Sequence, residues 1–285
     1  MKGRNLIRFD WAIKRLLRNK ADYFVLEGFL SELLKEDISI QTILESESNQ
    51  RNDTDKFNRV DLLVKNSKEE LLIIEIQNQS EYDYFHRMAY GTSKAIAEYI
   101  SAGEPYQNVK KVFSINIVYF DLGQGEDYVY HGQTDFIGIH KLDKLLLSAK
   151  QAELLGKTEP YQVLPEYYVI KVNQFNDIAK DSLDQWIYYL KNNEIKDDFT
   201  ARGIDRAREL WRVDNLKDED QKNYYMHLED LRYGASMAWT MKVDAEDRVR
   251  KDERLQIARE LKVSGIPIDL IIKSTKLTQD DITQL

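Results

Sequence analysis

The sequence predicts a mixed α/β fold of the α+β kind, one sheet with helices against it, followed by a helical C-terminal region. Three observations predict it. Short β-type runs cluster between residues 38 and 139. Helical periodicity flanks or interrupts them at 10–35 and 82–101. From about residue 143 the pattern changes to helices, with candidate breaks at Gly203 and 214–221.

Each element follows from its own residues. Asp10 is placed to cap a helix reaching residue 19, with Trp11, Leu16 and Leu17 among its apolar positions. A second helix is expected over 22–35, because Phe24, Val25, Phe29, Leu30, Leu33 and Leu34 recur near 3.6 residues. Residues 38–44 alternate as a strand, and the polar stretch 45–56 reads as a loop. Two further strands are expected at 59–64 and 71–77, joined by a polar turn at 66–70 that suits a hairpin. A helix over 82–101 ends before Gly103 and Pro105. Val112, Phe113, Ile115, Ile117 and Val118 mark a buried strand within 109–120, and shorter strands are expected at 128–130 and 136–139. Later, Leu183, Trp186, Ile187 and Leu190 form one helical stripe. A long charged helix is expected over 220–261, then short helical pieces at 255–263, 268–274 and 278–285. Pro267 fits a helix start and Thr278 with Asp281 fits a capping box. These readings divide the chain into a sheet-bearing core at 1–142 and a helical region at 143–285 with a small three-helix end.

Composition narrows the chemistry. The 285 residues include no cysteine, which excludes disulfides, thiolate zinc sites and a cysteine nucleophile. No apolar run approaches the roughly 18–20 residues of a membrane span, and no signal peptide is apparent, so a cytoplasmic protein with no membrane partner is expected. The net charge of −8 argues against a general nucleic-acid coat protein. The first 20 residues nevertheless carry a net charge of +6, either a solvated helix face or an arm that meets phosphates. His86, His131, His140 and His227 have no zinc-ligand spacing. Phosphate-binding glycine loops and the G-x-S-x-G elbow are absent.

The informative feature is a pair of acids in β-type runs. Asp61 lies in RVDLLV and Glu75 deep inside LLIIEIQ. A carboxylate in such a run is costly unless its charge is offset. Strand alternation places Ile73, Glu75 and Gln77 on one face, and a hairpin brings Asp61 beside Glu75 and Gln77. Two carboxylates and a carbonyl oxygen form a hard, oxygen-rich set suited to Mg²⁺ or Mn²⁺. A bound cation of that kind polarises a phosphodiester and acidifies a water, so a metal-dependent hydrolase, above all a nuclease, is the chemistry expected.

Asp61 followed by Glu75-Ile76-Gln77 resembles the PD-(D/E)XK phosphodiesterase superfamily, and more closely its recombination-promoting nuclease and transposase branch, where the last motif commonly reads Glu-x-Gln. The run DWAIKRLL at 10–17 resembles the opening helix of that branch. Residues 84–90 resemble its Phe-x-x-Arg-x-x-x-Tyr helix, slightly shifted. Segments at 164–168, 184–191, 258–261 and 272–277 extend the resemblance nearly end to end. It implies an αβββαβ restriction-endonuclease-like core at 1–142 and Mg²⁺-dependent endonuclease activity on DNA. It also implies Asp61 and Glu75 as metal-binding acids and the Ile76 backbone carbonyl as a third ligand. Gln77 stands where the superfamily usually has Lys, and a neutral amide is no base, although it can position water or phosphate.

Either a cation has migrated to the site from another position, or catalysis is weaker. Arg87 and Lys94, with Tyr90, share one face of the helix after the hairpin, where the bland role is surface charge or a pair with Glu98. Phe85, Met88, Thr92 and Tyr99 are expected inward. Lys56 and Arg59 precede Asp61 and suit phosphate contact, and Glu27 and Glu32 are weaker candidates for an extra acid. The competing reading is a catalytically silent fold that binds DNA or protein. The C-terminal pieces resemble a helix-turn-helix in spacing, but Asp280 and Asp281 would repel DNA, so packing or self-association is preferred.

Overall fold

A computed structural model describes residues 6–15, 23–44 and 61–285. It forms two compact units, Met1–Lys217 and Asp218–Leu285. The first opens with helices α1 (Phe9–Arg15) and α2 (Tyr23–Leu34), then strands β1 (Ile40–Leu44), β2 (Leu62–Asn66) and β3 (Leu71–Gln77). Helix α3 (Tyr84–Glu98) leads to β4 (Val112–Val118) and β5 (Val129–Gly132). After α4 (Ala149–Leu155) come β6 (Glu166–Lys171), α5 (Ser182–Asn192) and α6 (Ile204–Leu210). The run from α2 to β4 is the αβββαβ order that the sequence predicts.

The strands build one sheet in the order β1-β2-β3-β4-β6-β5. β3, β4 and β6 run parallel, and β1, β2 and β5 join antiparallel. The β2–β3 hairpin is tied by Asn66, whose side-chain oxygen accepts the N–H groups of Lys68 and Glu70 at 3.0 and 2.9 Å. That Asx-type bonding leaves Glu69 with positive φ at the turn. β3 and β4 are buried almost throughout because both are interior strands with both faces covered. On one face Leu63, Leu71, Ile73, Val112 and Ala95 of α3 form a cluster.

A second core gathers aromatic rings from distant segments. Phe9 meets Phe29 edge-on at 5.3 Å and Trp211 at 5.7 Å, and Phe29 meets Trp186 at 5.8 Å. The Tyr189 hydroxyl donates to the Ile7 carbonyl at 2.6 Å. The unit beginning at Asp218 is a 46-residue helix α7 (Asp218–Val263) followed by α8 (Ile268–Thr275) and α9 (Gln279–Thr283). Ala258, Ile271, Leu277 and Ile282 form its core. The expected capping box is present, with Thr278 accepting the Asp281 N–H. No helix among the described residues is long and apolar enough to cross a membrane.

Several expectations are corrected. The division at 142/143 cuts the sheet, because β6 pairs with β4 and β5. Its EYYVIK run is aromatic and β-branched, a strand composition inside a stretch read as helical. Residues 136–139 form no strand; only an isolated bridge joins Ile137 to Lys144, and Phe136, Ile137 and Ile139 are exposed. The helix expected to begin at 255 is the continuation of α7. Asp10 lies inside the first turn of α1, where it favours the helix N-terminus, rather than at its N-cap. Phe85 is exposed and Tyr84 is buried in its place, so the inward stripe of α3 is Tyr84, Met88, Thr92 and Ala95.

Candidate active site

The hairpin brings Asp61 and Glu75 together. Leu62 pairs with Ile74 and Leu63 with Ile73, so Asp61, one residue before β2, stands across from Glu75. Asp61 Oδ2 accepts the Ile76 backbone N–H at 2.8 Å, which stitches the entrance of β2 to β3. Ile76 therefore meets Asp61 through its amide.

Glu75 is a buried acid on an interior strand. Burial and then the neighbouring Asp61 push its carboxyl up to about 7, while Arg87 and the Asp61 backbone N–H pull the other way. Arg87, one turn into α3, donates through Nη2 to Glu75 Oε1. Its Nη1 donates to Glu81 Oε1 at 2.9 Å. Burial opposes the Arg87 charge, but the two carboxylates more than offset this and raise the guanidinium's pKa.

Gln77 follows Glu75 by two positions on the same strand face, and its Nε2 donates to Glu81 Oε1. Glu75, Arg87, Glu81 and Gln77 thus form a ring of side chains closed by the strand itself. Sequence reasoning missed Glu81. Its only sequence signal is its place four residues after Gln77, in the turn before α3. Below the ring, Tyr84 donates to Asn116 Oδ1 at 3.3 Å, and Asn116 sits beside Glu75 on β4. Burial, and then the Glu75 carboxylate, hold the Tyr84 phenol far above the ordinary tyrosine range.

The other expected residues fall elsewhere. Lys94 pairs with Glu98 at 3.7 Å, one helical turn on. Glu27 accepts the Ile40 N–H at 2.7 Å, and Glu32 accepts from Ser182 and from the Arg202 N–H, so both fasten α2 to neighbouring segments. Lys56 and Arg59 lie outside the described residues.

Residues 7–238 match the family described as PD-(D/E)XK nuclease family transposase. The chain belongs to this family. Comparison with curated proteins and with solved structures finds no match. PD-(D/E)XK nucleases typically use divalent metals. Among the described residues no group of three or more His, Asp or Glu is gathered as a ready-made cage. Mg²⁺ needs none, because it is commonly held by one or two carboxylates together with water and substrate phosphate. A carboxyl pushed up by burial, and then by a second carboxyl beside it, belongs to a pair that a divalent cation would relieve. The residues of this PD-(D/E)XK chain therefore fit such a cation, with Asp61 and Glu75 as the side chains that would hold it.

Proposed function

We propose that this chain is a divalent-metal-dependent DNA endonuclease that hydrolyses phosphodiester bonds. The observation that carries the reading is Asp61 standing across the hairpin from Glu75, with the Glu75 carboxyl pushed up to about 7 by burial and by that neighbour. Asp61 and Glu75 would hold Mg²⁺, or Mn²⁺ in its place, and the Ile76 carbonyl would be a third donor. When bound, the cation supplies Lewis-acid polarisation of the phosphodiester and a more acidic water.

The chain's own residues do the rest. Gln77 orients water or substrate by hydrogen bonding. Arg87 stabilises charge that develops on the phosphate, since it is the cation held at Glu75, whereas Lys94 is drawn to Glu98. Lys56 and Arg59 would meet the DNA backbone ahead of Asp61. The test is cleavage of supercoiled plasmid by the purified full chain, with and without Mg²⁺. Asp61→Asn and Glu75→Gln each abolish metal-dependent nicking on this reading. Parent-like cleavage by either variant overturns it.

One observation favours a second reading. Arg87 already neutralises Glu75 within the site, as a fold that binds without cutting would require. DNA retention by the parent with no nicking at any Mg²⁺ or Mn²⁺ concentration would support that binding module.

A further inference from the structure

We infer that Glu81 is a positioning residue that fixes the Gln77 amide, so that Gln77 serves the site through its carbonyl oxygen as a further hard donor to the divalent cation, beside Asp61, Glu75 and the Ile76 carbonyl. The inference rests on the proposed metal-dependent reading and adds to it the role of a residue outside the family motif.

The chemistry of the contact decides the orientation. Oxygen and nitrogen of a glutamine amide are easily interchanged, but their partner here is a carboxylate. An ionised carboxylate only accepts, so the group facing Glu81 must be the Gln77 NH₂. Glu81 is itself anchored, since Oε1 and Oε2 accept from Arg87 Nη1 at 2.9 and 3.3 Å. The amide therefore cannot turn over without placing its carbonyl oxygen against a negative charge.

Two consequences follow for Gln77. A phosphate approaching the second N–H would have to come up beside the Glu81 carboxylate, which opposes it. The carbonyl oxygen, in contrast, is a neutral hard donor two strand positions from Glu75 and on the same face. Asp61, Glu75 and Gln77 then supply three side-chain oxygens. The lysine usual at this position would donate to Glu81 in the same way yet offer no acceptor.

The experiment is a Mg²⁺ titration followed by isothermal calorimetry, on the full-length protein without DNA. Gln77→Met and Glu81→Ala each weaken Mg²⁺ binding by about tenfold or more, the usual effect of losing a ligand or its orienting partner. Gln77→Glu alone sets two carboxylates against each other. The exchange variant Gln77→Glu/Glu81→Gln rebuilds the hydrogen bond with donor and acceptor reversed. It keeps an oxygen toward the cation, and its Mg²⁺ affinity exceeds the sum of the two single changes by about tenfold, a coupling between positions 77 and 81 that a merely structural Glu81 would not give; additive effects overturn the role. Isosteric Glu81→Gln keeps the question open to refutation if Glu81→Ala unfolds. Parent-like Mg²⁺ affinity in Gln77→Met and Glu81→Gln, alongside loss in Asp61→Asn, overturns the role of Glu81 while leaving the metal reading intact. No Mg²⁺ binding by the parent overturns both.

Discussion

Arg87 and Glu75 are ion-paired at the centre of the candidate site, Nη2 of the guanidinium donating to Oε1 of the buried carboxylate. The residue expected to replace the missing lysine is thereby held on the acid expected to bind metal. A guanidinium and a divalent cation stabilise the same negative charge, so each site state sets how far the other is needed.

Arg87→Met removes that counter-charge. Arg87 pulls the Glu75 carboxyl down, so without it the carboxyl titrates above the value of about 7 that it has in the parent. Carbon-detected NMR titration of labelled glutamate carboxyls reads the shift. Plasmid nicking falls in the same variant by about 10²-fold or more, the usual effect of losing a charge-stabilising donor.

The Glu75 carboxyl also ties stability to pH. Its folded pKa of about 7 lies above the ordinary 4.5, so the folded metal-free protein binds the proton more tightly than the unfolded chain. The corresponding stability is fully present below about pH 4.5 and is lost as pH rises through 7. Glu75→Gln cannot ionise and does not show this loss. Urea unfolding at pH 5 and pH 8 therefore gives a smaller decline for Glu75→Gln than for the parent.

Lys171 ends β6 fully buried, its Nζ without a hydrogen-bond partner among the described residues and 5.7 Å over the Tyr130 ring. The ring offsets only part of the lost hydration. Lys171→Met keeps the apolar stem and removes the polar head, so it is expected to raise unfolding stability by about 1–3 kcal/mol. Chemical denaturation measures it, and a destabilised variant would show that the ammonium has a structural role.

Gly28 lets α2 approach the segment before α6. A Cβ there would stand 2.2 Å from the Arg202 carbonyl oxygen, and the obstruction is backbone. Gly28→Ala must push the two segments apart, with an expected loss of about 1–3 kcal/mol. The midpoint of a urea transition shows it directly.

The hairpin was legible because strand alternation and a short turn leave one register. Asp61 and Glu75 face each other once Asn66 and Glu70 close the turn. Arg87 was legible as a cation on the correct side of a helix, but side-chain spacing could not separate it from Lys94, which Glu98 holds one turn away. Glu81 was invisible because it belongs to no periodic element, and its role arises from hydrogen bonds to two side chains, Gln77 and Arg87, made after the chain has folded. β6 was missed for a different reason. Its partners β4 and β5 precede it by tens of residues, so only its own aromatic and β-branched composition marked it. At 136–139 the error ran the other way, since an apolar run with Gly138 at its centre found no neighbouring strand.

The place of β6 between β4 and β5 also bears on how the chain comes off the ribosome. β4, with seven buried residues, is complete at Val118, but the strand that covers its outer edge ends at Lys171. At the usual pace of synthesis the nascent chain carries that bare apolar edge for roughly 3–10 s. Such an edge pairs readily with other chains. Association between nascent chains is therefore expected to concentrate in the interval between completion of β4 and completion of β6.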